Sequence, residues 1–90
     1  MNYQDVIKIG HYNMPEWAYK AERVLTNIYK KKGDLRGITI YVNDEWLGKQ
    51  IEKSNYKATP VYETYFGYVP LHYTSAGEEG SFSVVREVSE

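Results

Sequence analysis

The chain contains no cysteine, which excludes a disulfide framework, a thiol nucleophile, thiolate zinc coordination and the usual cysteine-held iron–sulfur clusters. Long apolar runs are missing too. Nothing approaches the roughly 20 residues that a membrane-spanning helix requires, and the first residues lack the basic-then-apolar pattern of a secretory signal. The expectation is a soluble, cytoplasmic protein. No charge of one sign dominates: 11 basic residues stand against 12 acidic ones, a net charge of −1, whereas domains devoted to nucleic acid carry a clear basic excess. There is also no repeat, linker or low-complexity tract, and 90 residues suit one domain with a single two-layered core.

Chemistry-bearing motifs are equally sparse. His11 and His72 are the two histidines, hence the candidates for an imidazole base, and their separation offers no local metal spacing. A carboxylate pair for glycoside chemistry would come from Asp5, Asp44 and Glu63, and no apolar pattern buries them. Gly33 and Gly37 lack the context and the lysine spacing of a phosphate loop, and no dinucleotide fingerprint occurs. Glu78 and Glu79, between Gly77 and Gly80, cannot supply the six or more oxygens that calcium takes, so the acidic tip is expected to be solubilising. The sequence predicts no catalytic residue, no metal site and no cofactor.

What the chain has in abundance is tyrosine, ten residues against two phenylalanines and two tryptophans. An AT-rich coding genome supplies some of this together with Lys, Asn and Ile. The physical alternative is contact, because an apolar ring with a polar tip suits half-buried positions and interfaces.

One stretch commits to a secondary structure unaided. From Asn13 to Gly33, the residues Trp17, Ala18, Ala21, Val24, Leu25 and Ile28 follow three-and-four spacing and form one stripe of an amphipathic helix. Asn13 is the expected cap, with Glu16 completing a capping-box spacing, or Met14 caps with Pro15 at the first helical position. Lys30, Lys31 and Lys32 complement the negative end of the dipole, and Gly33 closes the helix.

Around this helix the remaining pattern is mostly strand. Residues 1–12 are ambiguous and lean to strand. Ile38, Ile40 and Val42 alternate with Thr39 and Tyr41, the period of a sheet with one buried face. Between Asn43 and Asn55 a short helix capped by Asn43 or Asp44, with Trp46, Leu47 and Ile51 turned inward, competes with a hairpin strand, and Gly48 weakens both. The helix is favoured by the four-residue spacings of Glu45 with Lys49 and Leu47 with Ile51. Residues 53–60 suggest a connection. From Val61 to Phe66, Tyr62, Thr64 and Phe66 share one face and Val61, Glu63 and Tyr65 the other. A second run, Tyr68 to Thr74, contains Pro70, which lacks a ladder donor and is expected on an edge or at a bulge. Phe82, Val84 and Val88 suggest a final strand, interrupted by Arg86. The predicted fold class is α+β: one main amphipathic helix on a small, mostly antiparallel sheet of about four to five strands, with the short second helix.

Two surfaces emerge as functional candidates. Six large rings between Tyr56 and Tyr73 exceed what one small core can hold, so part of the set should be exposed together; Tyr62, Tyr65, Tyr68 and Tyr73, with Glu63, are the candidate residues for contact with another protein. The second candidate is basic. Residues 30–57 carry a net +3 and residues 58–90 a net −4, so Lys30, Lys31, Lys32, Arg36, Lys49 and Lys53 could meet an anion or nucleic acid, with tyrosines stacking on a single strand. The function expected is a small, non-enzymatic protein-binding module, such as a phage- or mobile-element-encoded inhibitor that occupies a surface of a larger host protein. The alternatives are a nucleic-acid-binding protein, a small ribonuclease-like toxin, and a self-associating structural role.

Overall fold

The structure, a computed structural model, describes residues 6–10 and 13–87. In chain order its elements are β1 (Val6–Gly10), α1 (Glu16–Lys32), β2 (Ile38–Val42), α2 (Glu45–Lys53), β3 (Thr59–Thr64), β4 (Gly67–Tyr73) and β5 (Phe82–Arg86). This is the α+β class that the sequence predicts. Asp5, His11 and Val88 lie outside the described residues.

The long helix forms where the apolar spacing puts it and buries Trp17, Ala18, Ala21 and Leu25. Ile28 packs against this core from its margin. Val24 does not follow: it is 38% exposed, because it falls on the border of the stripe, farther round the helix than Ala21 and Leu25. The helix start also differs. Pro15 is the N-cap, in an extended conformation and without a side-chain cap bond. Asn13 serves β1 instead: its Oδ1 accepts from the Gly10 N–H at 3.3 Å and its Nδ2 donates to the Lys8 carbonyl at 3.2 Å. At the other end Gly33 adopts the left-handed conformation, and its N–H donates to the Tyr29 carbonyl.

The five strands form one sheet in the order β1-β3-β4-β2-β5. β3 with β4 and β2 with β5 are antiparallel, while β1 with β3 and β4 with β2 are parallel. Pro70 is therefore in an interior strand, not on an edge. β4 pairs with β3 from Gly67 to Pro70 and with β2 from Leu71 to Tyr73, so the residue without a donor sits where the strand changes neighbours. Pro60, expected in a connection, lies within β3 opposite Ile7.

Alternation sorts the sheet into two unlike faces. Ile9, Tyr62, Thr64, Val69, Leu71, Ile38, Ile40 and Val42 share one face, and all are buried. Both helices cover it: the Trp17 ring lies 6.0 Å from Tyr62 and 6.1 Å from Phe82, and Leu47 joins the same core. Phe66 does not. β3 ends at Thr64, whose Oγ1 accepts from the Phe66 N–H at 2.8 Å and donates to the Gly67 carbonyl at 2.9 Å. Phe66 thus belongs to the turn into β4, is 41% exposed, and stacks on Tyr29 of α1 at 4.1 Å.

The second helix is held by two acids. Asp44 Oδ1 accepts from the Leu47 N–H at 3.0 Å while its Oδ2 accepts from the Trp17 indole N–H at 2.8 Å, joining α2 to α1 through a buried carboxylate. Glu79, which sequence reasoning assigned to a solubilising loop tip, accepts from the Glu45 N–H at 3.0 Å, and so satisfies a free donor at the helix start. Gly48 explains why the helix is oriented as it is. A Cβ there would come within 2.9 Å of the Tyr73 ring, so residues 44, 47, 48 and 51 form the inward face. Trp46, expected inward, lies off that face and is 48% exposed.

Candidate functional site

The tyrosines expected to act together divide three ways. Tyr62 is fully buried, and its hydroxyl donates to the Ala18 carbonyl (3.1 Å) or to Glu22 Oε1 (2.9 Å). Burial, and then the hydrogen bond to the Glu22 carboxylate, hold its phenol proton well above the usual range. It is a core residue, and it leaves the contact set for that reason. Tyr73 is at the far end of β4, beside Gly48. Tyr65 and Tyr68 remain near one another at the β3–β4 turn, 76% and 62% exposed, with Glu63 opposite Tyr68 across the strands.

Tyr68 belongs to a larger surface that the sequence did not reveal. The register places Val61 beside Pro70, Glu63 beside Tyr68, Tyr41 beside His72 and Thr39 beside Val85, all on the face that neither helix covers. Tyr41 and His72 stack with their rings 5.2 Å apart. Tyr68, Pro70, His72 and Val85 are exposed, while Tyr41 and Val61 are half-buried by their neighbours. β4 lies between β3 and β2 only through a long-range parallel pairing that no local pattern announces.

A groove of about 580 Å³ runs beside α2, where β3 and β4 diverge. Ile51, Ala58, Pro60 and Leu71 line it together with Tyr56 and Tyr73. Asn55 and Tyr56 both have left-handed backbones, φ 58 and 62, a conformation that costs of order 1 kcal/mol for such residues. Their N–H groups bond to the carbonyls of Glu52 and Ile51, both at 3.0 Å. The strained pair therefore closes the C-terminus of α2.

The basic residues do not form one stripe. Lys30, Lys31 and Lys32 end α1, which packs along β5, whereas Lys49 and Lys53 lie on α2, which packs along β1 and β3. Lys49 is paired with Glu45 at 2.9 Å, and that hydrogen bond raises its pKa. Arg36 pairs with Asp34 at 3.4 Å. The Arg36 backbone N–H, followed by the Arg86 guanidinium, holds the exposed Asp34 carboxyl below the usual range.

The chemical groups stand apart in the same way. The His72 side chain stacks on Tyr41, and no group of three or more His, Asp or Glu side chains among the described residues could hold a metal ion. No described helix is long and apolar enough to cross a membrane. No protein family, curated protein or solved structure matches the chain.

Proposed function

We propose that the protein is a non-enzymatic binding module that occupies a surface of a larger cytoplasmic protein, as an inhibitor does, through its uncovered sheet face. One observation carries this reading: both helices lie on the same side of the sheet, and the other side holds exposed Tyr68, Pro70, His72 and Val85 and half-buried Tyr41 and Val61 among the polar Lys8, Thr39, Glu63 and Ser83. Solvated sheet faces ordinarily alternate to polar residues, and tyrosine-rich surfaces supply large contact area at small entropy cost. Tyr68 and Glu63 of the sequence-derived set lie on this face; Tyr65 is in the β3–β4 turn, and Tyr73 belongs to the α2 groove. A nucleic-acid role draws less support, because the stacking rings and the separated lysines do not share one surface.

The test is co-purification after nuclease treatment, with Tyr68→Ser/His72→Ser beside the parent chain. The parent is expected to retain a protein partner and the variant to lose it, with stability lowered by no more than about 2 kcal/mol because both side chains are exposed and give up only their cross-strand contacts with Glu63 and Tyr41. Retention by the variant, or loss of the bound material to nuclease alone, overturns the reading.

A further inference from the structure

The outer edge of β5 offers a site separate from the open face. Alongside β2, the Glu87 N–H donates to the Gly37 carbonyl at 2.7 Å and the Asn43 N–H to the Ser81 carbonyl at 2.9 Å. With the observed register, Thr39 with Val85 and Tyr41 with Ser83 are then the pairs that exchange ladder bonds. Antiparallel alternation turns the backbone N–H and C=O groups of Phe82, Val84 and Arg86 outward, where no described strand pairs with them. Such an edge is a template for another strand.

What adjoins this edge selects the strand it would take. Between α1 and β5 lies a notch of about 240 Å³ with Ile28, Ile38 and Val84 as its apolar part and Lys31, Lys32 and Arg86 as its charged part. No acidic side chain lines it. Arg86 is tied to Asp34 at 3.3 Å, while Lys31 and Lys32 make no ion pair among the described residues. In an added strand, alternate side chains face α1, so one apolar residue and its acidic neighbour two positions away match notch and lysines together.

We propose that this edge receives an extended acidic segment of a partner protein as a sixth strand, its backbone bonded to Phe82, Val84 and Arg86 and its carboxylates on Lys31 and Lys32. A second copy of the chain fits less well. Pairing β5 with itself about a twofold axis brings two sets of Lys31, Lys32 and Arg86 together, and like charges facing one another oppose association.

The experiment titrates the full-length, isotope-labelled chain with acetyl-Glu-Ser-Val-Ser-Glu-amide, whose Val and two Glu side chains share one strand face, and with its lysine counterpart, following amide signals and hydrogen exchange. The glutamate peptide is expected to shift and protect the amides of Phe82, Val84 and Arg86, and added salt should weaken it. Lys31→Glu/Lys32→Glu should weaken it by about tenfold or more. Val84→Pro, which removes an outward donor without touching the β2 ladder, should abolish the protection. Equal binding of the two peptides overturns the proposal. So do shifts confined to other surfaces, concentration-dependent dimerisation that masks the β5 amides, or perturbation of these amides by an oligothymidylate and not by the peptide. Tyr68→Ser/His72→Ser should leave peptide binding unchanged, so failure here is distinguishable from failure of the open-face reading.

Discussion

The covered and open faces of the sheet draw on overlapping residue types, tyrosine and β-branched side chains, yet a tyrosine does opposite things on the two. Tyr62 is sealed beneath α1 with its hydroxyl bonded inside the protein, whereas Tyr68, one strand away, is 62% exposed. The difference lies in what covers each face and not in the residue. Burial converts a ring into a fixed structural part, and its absence leaves the same ring available for contact.

The strongest way to break this comparison is to cut into the covered side. Leu25→Ala should cost about 2–5 kcal/mol in denaturant unfolding, since it removes buried methyl groups and leaves a cavity. Val24→Ala, its sequence neighbour, should cost far less because Val24 is at the border of the stripe. Equal losses would mean that the boundary between buried and exposed helix positions is drawn wrongly.

A smaller effect is expected at the joint between the helices. Asp44→Ala removes the cap of α2 and leaves the Trp17 indole N–H without its partner, roughly 2–3 kcal/mol together. Asp44→Asn keeps one acceptor oxygen, enough for the cap or for the indole but not both, and should fall between the parent and Asp44→Ala in thermal unfolding. A loss as large as that of Asp44→Ala would show that the charge, not the hydrogen bonds, does the joining.

The helix and β2 could be foreseen because each declares itself by local period: Trp17 to Ile28 repeats at helical spacing, and Ile38, Ile40 and Val42 alternate. The open face could not, since it exists only once β4 is inserted between β3 and β2. Gly48 illustrates the same limit. In isolation it weakens a helix, and only the Tyr73 ring brought from β4 explains why a side chain is excluded there. Glu79 and Phe66 likewise depend on partners, Glu45 and Tyr29, that lie far away in the chain.

The smallest effect sharpens the comparison through pH. The raised pKa of Tyr62 means that the folded chain keeps a proton which the unfolded chain releases near pH 10. Its stabilising contribution is whole below that pH and is lost as pH rises above it. Tyr62→Phe should cost about 1 kcal/mol at neutral pH and flatten the alkaline decline in stability. An alkaline decline as steep in Tyr62→Phe as in the parent would show that the buried ring is not its source.

The order of strands has a consequence for how the chain can assemble as it is made. β3 and β4 are joined by a tight turn, but β1 must wait for Thr59 before Val6 finds its neighbour, and β2 must wait for both β4 and β5. Contacts between such distant segments slow folding, because the loop between them must close before any pairing is gained. During synthesis, α1 is therefore made before β3, β4 and β5, and its apolar stripe has no complete sheet to pack on until the last strand has followed.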